Sequence, residues 1–235
     1  MSKTPKLIVI HGLKTAGKSL LAERLLGQGF ERVKMAGPLK NMVRSLLRDS
    51  GVDETLIEDY VEGARKEDVI PELSKTRDIS ARSLMMTLGD EWRNLHGKDL
   101  WVNIARGKIR QHLAAGKDVV VDDIRYVFEL EGFLEFNPIK LVISRFGKHF
   151  EPWGEERHPG ERPIDVSYFD YHFQNDGFNV EPLHQELDDV LAAFAALRER
   201  FAAMQSLSAT VGRVSADVRE KNRVEALEAA ELFAA

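Results

Sequence analysis

Apolar positions near the start of the chain switch between two periods. Leu7, Ile8, Val9 and Ile10 form an unbroken apolar run, the pattern of a strand covered by helices on both faces. From Lys18 onward, Leu20, Leu21, Leu25 and Leu26 recur at helical spacing, and Gly27 or Gly29 can end that helix. Residues 30–35 alternate weakly and predict a short second strand. Gly37-Pro38 breaks it, and Pro38 suits the first turn of a helix through Leu39, Met42, Val43, Leu46 and Leu47, closed by Gly51. Residues 53–62 predict another short helix. The charged stretch 63–78 has no clear period and is read as a mobile loop.

Ser80 is placed to cap a helix through Leu84, Met85, Leu88 and Trp92, with Gly89 in its middle. Asp99 can cap the next helix, from Leu100 to Ala115, which Gly116 ends. Val119-Val120-Val121-Asp122-Asp123 then reads as an apolar strand ending in carboxylates. A helix over 126–136 and a further buried strand, Ile139 to Ser144, follow. Apolar strands separated by helices predict a parallel sheet wound with crossover helices. From Leu183 the pattern is helical and alanine-rich: Leu183, Leu187, Val190, Leu191, Phe194, Leu197, Phe201 and Met204 form a stripe expected to pack on the sheet. A break is expected near 206–212, before a last helical segment, 213–235, that dimerises, docks on its own domain or frays. The chain is therefore divided into a domain over 1–205 and a helical tail over 206–235.

Composition narrows the function classes. At 235 residues the chain can bury one full core with an appendage. A net charge of -5 argues against a general nucleic-acid or anionic-membrane binder. There is no cysteine, which removes disulfides and thiolate metal sites and fits a cytoplasmic protein. No apolar run approaches the ~20 residues that span a bilayer, and MSKTPK lacks a signal-peptide core.

The turn between the first strand and the first helix carries chemistry. Gly12-Leu13-Lys14-Thr15-Ala16-Gly17-Lys18-Ser19 fits the phosphate-binding pattern G-x-x-x-x-G-K-[ST], in the strand-to-helix setting that the pattern requires. A turn this rich in glycine lets backbone N–H groups of Gly12, Lys14, Thr15, Ala16, Gly17 and Leu20 face a polyphosphate at the positive end of a helix. Lys18 then reaches the β- and γ-phosphates of ATP, and Ser19 ligates Mg²⁺. Ligands of a wound parallel sheet bind at the carboxyl ends of its strands. Asp122, Asp123 and Arg125 follow one such strand and Arg145 another, so Arg145 is expected at the ATP side. Asp123, or Asp122 by a slip of one residue, is placed to hold Mg²⁺, or else to cap the helix after Tyr126. Arg77, Arg82, Arg93, Arg125, Arg145, Arg157 and Arg162 lie in or beside segments leading to the same edge. Transfer of a phosphoryl group between two anions needs several fixed cations of this kind.

Five segments, in order, resemble the deoxynucleoside monophosphate kinases of bacteriophages and their bacterial relatives. After the phosphate loop, Met35-Ala36-Gly37-Pro38-Leu39-Lys40 is similar to F-A-x-P-L-K of that family. Residues 80–93, SARSLMMTLGDEWR, are similar to T-P-R-x-x-L-Q-x-L-G-T-E-x-x-R, and Asp99-Leu100-Trp101-Val102 to D-x-W-V. Asp123-Ile124-Arg125-Tyr126 with Glu129 matches D-V-R-F-x-x-E, and Asn175-Asp176-Gly177 the late N-D-G. The likeness spans about residues 6–185. It implies an α/β P-loop NTPase fold with a five-stranded parallel sheet in the order 2-3-1-4-5, flanked by helices. It also implies transfer of the ATP γ-phosphoryl group to a deoxynucleoside monophosphate. Carried over, Lys18 and Ser19 hold ATP and Mg²⁺, and Arg82, Arg93 and Arg125 hold the acceptor phosphate and the transition-state charge. Lys40, Asp123 and Glu129 fall in the acceptor-side motifs. Trp101 either stacks on the acceptor or is an ordinary core tryptophan. Two departures stand out: Met86 occupies the usual glutamine position, and the late H-x-S-E appears as His158-Pro159-Gly160-Glu161.

Residues 146–163, rich in glycine, proline and charge, are read as a lid over ATP with Lys148, Arg157 or Arg162 as phosphate contacts, or as a plain solvated loop. His149 and His158 lie there without zinc-like spacing. The rivals are a P-loop kinase for another small acceptor and an NTP-hydrolysing switch or motor. The chain has no N-K-x-D guanine motif and no basic track for nucleic acid. The expected setting is the cytoplasm, that of the host if the gene is a phage's.

Overall fold

A computed structural model describes residues 6–145, 160 and 162–233, with side chains as far as Ser208. The sheet has five parallel strands: β1 (Leu7–His11), β2 (Glu31–Arg32), β3 (Val119–Ile124), β4 (Ile139–Arg145) and β5 (Tyr171–Asn175). Their order is β2-β3-β1-β4-β5. The connections carry α1 (Lys18–Gly27), α2 (Gly37–Asp49), α3 (Glu54–Val61), α4 (Ala81–His96), α5 (Leu100–Ala114) and α6 (Val127–Glu131), and α7 (Val180–Phe233) follows β5. The chain divides into one compact unit, Pro5–Leu187, and a second formed mainly by Asp188–Ala235.

Apolar clusters among the described residues hold the first unit together. Leu7, Val9, Val119 and Val121 share one sheet face with Val102, Ala105 and Ile109 of α5, and with Phe133. Each such side chain contributes roughly 1.5–3 kcal/mol on leaving water. The second cluster, Val43, Leu47, Ile57, Tyr60, Val61, Ile70 and Ala81, ties α2, α3 and α4 into a helical layer. Ile70 corrects the mobile-loop expectation for 63–78. Its side chain is fully buried and its N–H donates to the Ile79 carbonyl at 2.8 Å, so an aperiodic stretch is pinned at its middle.

Caps follow the sequence in part. Ser80 and Ser83 form a reciprocal capping box on α4, and Asp53 caps α3 by accepting from the Thr55 N–H. Asp99 instead accepts from the Asn103 side chain, leaving the α5 N-terminus without a side-chain cap. The helix expected over 126–136 is interrupted: α6 ends at Glu131 and a separate 3₁₀ turn covers Leu134–Phe136. The break expected at 206–212 is absent, because α7 runs through it. Gly212 costs about 1 kcal/mol there relative to alanine, and no proline enforces a stop. Within the second unit, Leu197, Phe201, Met204 and Leu207 are exposed. Among the described residues, no helix is long and apolar enough to cross a membrane.

Candidate active site

The phosphate loop is shaped by close approaches on two sides. A Cβ at Gly12 would sit 2.5 Å from the Ile143 carbonyl oxygen of β4. Gly17 adopts φ +110° and lies against the Asn175 side chain, so neither position admits another residue. Between them Thr15, β-branched, takes φ 68°, a conformation that costs energy and that clusters at ligand-binding loops. Asn175, at the end of β5, donates from Nδ2 to the Ala16 carbonyl at 2.9 Å and accepts the Gly177 N–H at 2.9 Å on Oδ1. The late N-D-G motif is thus the clamp of the loop. Arg145, at the end of β4, lies against Gly177 on the same rim.

Among the described residues, the N–H groups of Lys14, Thr15, Gly17, Lys18 and Ser19 have no acceptor. A ring of unpaired amides at the start of α1 fits a polyphosphate. Lys18 curls over it, donating from Nζ to the carbonyls of Gly12 at 2.5 Å and Leu13 at 2.8 Å. Burial first, and the nearby Arg125 charge second, pull its ammonium from 10.5 down to about 8, against Asp122 and Asp123. Lys14, Thr15 and Ser19 are exposed, Ala16 is buried, and Leu20 is half-buried, its carbonyl facing His184 Nε2 at 3.2 Å.

Strand alternation separates the two carboxylates on β3. Asp123 accepts the N–H groups of Met35 at 2.9 Å and Ala36 at 3.1 Å, one on each oxygen. Burial pushes its carboxyl above the ordinary range, with those donors opposing. Asp122, on the other face, is buried and paired with Arg32 through Oδ2, leaving Oδ1 without a hydrogen-bond partner. Asp122 Oδ1 is thus left without a partner, and both oxygens of Asp123 are engaged in fixing the Met35-Ala36 turn that starts α2.

Of the residues expected at the acceptor, Lys40 pairs with Glu62 at 2.6 Å and Arg82 with Glu67 at 3.2 Å. Arg93 pairs with Asp90, lies 4.5 Å over the Tyr126 ring and donates to its hydroxyl at 3.3 Å. Arg125, immediately before that tyrosine, is exposed and donates from Nη1 to the Gly160 carbonyl at 3.3 Å. Gly160, Arg162 and Pro163 are the described part of the expected lid, and Arg162 is exposed. Lys148, His149, Arg157 and His158 lie outside the described residues. Trp101 is a core residue at 6% exposure. It shares the apolar cluster of α5, its Nε1 donates to the Gly89 carbonyl at 3.1 Å, and it stacks on Trp92. Its ring N–H and one ring face are thus engaged within the protein.

Glu129 accepts the N–H groups of Arg125 at 2.7 Å and Tyr126 at 3.2 Å on one oxygen, fixing the turn from β3 into α6. Burial, above all, raises its carboxyl from 4.5 to about 7. A folded value above the unfolded one means that the ionised form carries a penalty. That penalty is absent below pH 4.5, grows as pH rises, and is complete above pH 7. Glu129→Gln, which keeps an acceptor for both N–H groups, is expected to melt several degrees above wild type at pH 8 and to converge with it at pH 4.5. The limit is about 3 kcal/mol, at roughly 1.4 kcal/mol per tenfold change in proton affinity. Thermal melts at both pH values check this; a variant equally destabilised at both would refute it.

Two contributors were not singled out from the sequence. His11 closes β1, accepting the Ile164 N–H on Nε2 at 3.2 Å with Nδ1 against the Ile124 carbonyl at 2.8 Å, and it stacks on Phe169. These contacts select the tautomer protonated at Nδ1. Its signal was a polar residue ending an apolar run directly before Gly12. Arg32, partner of Asp122, gave no signal in so short a strand.

Neither a protein-family model nor a curated protein sequence matches this chain. Among solved structures, dephospho-CoA kinase from Campylobacter jejuni is 13% identical at a TM-score of 0.40, covering 80% of this chain and 96% of that one. TT1252 from Thermus thermophilus is 18% identical at a TM-score of 0.44, covering 81% and 98%. Likeness this distant adds nothing to what the sheet order and the loop already establish about the fold.

Proposed function

We propose that this protein transfers the γ-phosphoryl group of ATP to the phosphate of a deoxynucleoside monophosphate, giving ADP and the diphosphate. The observation that supports it is a run of cations leading away from the phosphate loop. The Arg125 charge acts on Lys18, and the charges of Arg125, Arg82 and Lys40 all act on Lys66. Two anions brought together repel each other, and cations held in place beforehand lower that barrier. Lys18 and the loop amides bind the donor, with Arg145 at its rim, and Arg125 lies between donor and acceptor. Arg82, Arg93 and Lys40 line the acceptor side. The acceptor phosphate is itself an ionised nucleophile near pH 7, its second pKa being about 6, so no side chain need act as general base. Glu129 and Asp123 hold the turns that carry Arg125 and α2.

Ser19 and the unpartnered oxygen of Asp122 would hold Mg²⁺, which when bound neutralises phosphate charge. The deoxynucleotide part of the assignment rests on the ordered motifs. With Trp101 in the core, a different small phosphorylated acceptor is the second candidate. The expected workplace is the cytoplasm, without nucleic acid as partner.

A coupled assay of ATP with dAMP, dGMP, dCMP or dTMP, against the ribonucleotides and DNA, tests this. Turnover with at least one deoxynucleotide, at a kcat/KM at least tenfold above its ribonucleotide, is expected. Turnover stimulated only by DNA would overturn it.

A further inference from the structure

The acceptor layer pairs most of its cations with carboxylates of its own. Lys40 has Glu62 and Arg82 has Glu67. In the turn Ala64–Glu67, Arg65 is held on one side by the Tyr60 hydroxyl at 2.8 Å, the Tyr60 ring at 4.4 Å and Asp68 at 3.1 Å. Glu67 is held on the other by Arg82. Lys66, between them and half-buried, has no carboxylate within ion-pair distance among the described residues. Arg125 likewise meets only the Gly160 carbonyl there. The pinned neighbours fix the turn, which packs against α3 and α4, and the charges of Lys40 on α2, Arg82 on α4 and Arg125 after β3 all act on the Lys66 ammonium.

We infer that Lys66 is an acceptor-binding residue, and that the phosphate monoester of the acceptor sits between its ammonium and the Arg125 guanidinium. The inference deepens the phosphotransfer assignment and rests on it. Burial, then the Lys40 charge, holds the Lys66 ammonium below its ordinary value, with Arg82 and Arg125 adding to the effect and only Glu62 opposing it. Like charges held together with only part of their charge balanced are costly until an anion arrives. A dianionic phosphate supplies the missing charge, and a neutral acceptor hydroxyl would not. Lys40, already neutralised by Glu62, has less to gain from the same anion.

The test compares wild type with Lys66→Met, which keeps most of the stem, and Lys66→Arg, which keeps the charge. Each is assayed with ATP and the four deoxynucleoside monophosphates, and the binding of each monophosphate to ATP-free protein is measured by calorimetry. Lys66→Met is expected to raise the acceptor KM and Kd at least tenfold and to leave the ATP KM within about twofold. Lys66→Arg should restore most of the loss, which a packing role would not allow. Lys40→Met should cost the acceptor less than Lys66→Met. If wild type transfers phosphate and Lys66→Met keeps its acceptor KM, Lys66 is not in the site and the phosphotransfer assignment survives. If wild type neither transfers phosphate to a monophosphate nor binds one, both fall together.

Discussion

Replacing Lys18 with alanine is expected to lower turnover by about a thousandfold, the scale found when one preorganised donor to a developing charge is removed, while leaving the ligand-free fold at least as stable. Its ammonium is buried beside Arg125 and titrates at about 8 instead of 10.5. A lysine whose folded value lies below its unfolded one binds its proton at a cost. That cost is present at neutral pH and is relieved as pH climbs from about 8 toward 10.5. Removing the ammonium removes the cost, against the loss of its bonds to the Gly12 and Leu13 carbonyls. In wild type, kcat/KM should fall above pH 8 as the free enzyme loses this proton. Single-turnover transfer and melting at pH 7 check both halves. A variant that transfers phosphate within tenfold of wild type would remove Lys18 from the phosphate site.

Arg125→Ala should lower kcat/KM for the acceptor by about a hundred- to a thousandfold and change the ATP dissociation constant less than threefold. A second signature follows from the coupling of the two cations. Burial first and the Arg125 charge second depress Lys18, so removing that charge should move the alkaline limb of the pH profile part of the way upward. A variant that only binds ATP more weakly, with an unmoved alkaline limb, would place Arg125 on the donor side.

The elements read most securely were those whose pattern is decided by burial on both faces. β1, β3 and β4 are continuous apolar runs because helices cover them. β5 was implied only by the family likeness: in Tyr171–Asn175 only Phe173 and Asn175 are buried, as befits an edge strand, so no run of apolar residues marks it. The phosphate loop was legible because its chemistry is contiguous. The cations proposed for the acceptor come from α2, the turn at 64–67, α4 and the end of β3, and only the parts carrying familiar motifs could be named in advance. Lys66 has neither period nor motif. Trp101 carried two readings because an aromatic on a helix tells nothing of which way the helix faces; in the fold it is buried with its indole N–H on the Gly89 carbonyl.

The Asn175 clamp has a consequence for how the protein is made. The loop that opens the chain is braced by a side chain more than 150 positions later, through the Ala16 carbonyl. A nascent polypeptide emerging from the ribosome therefore cannot give its nucleotide cradle a final shape until the fifth strand has been translated and added to the sheet. The finished shape of the loop then doubles as a report that synthesis has passed that strand.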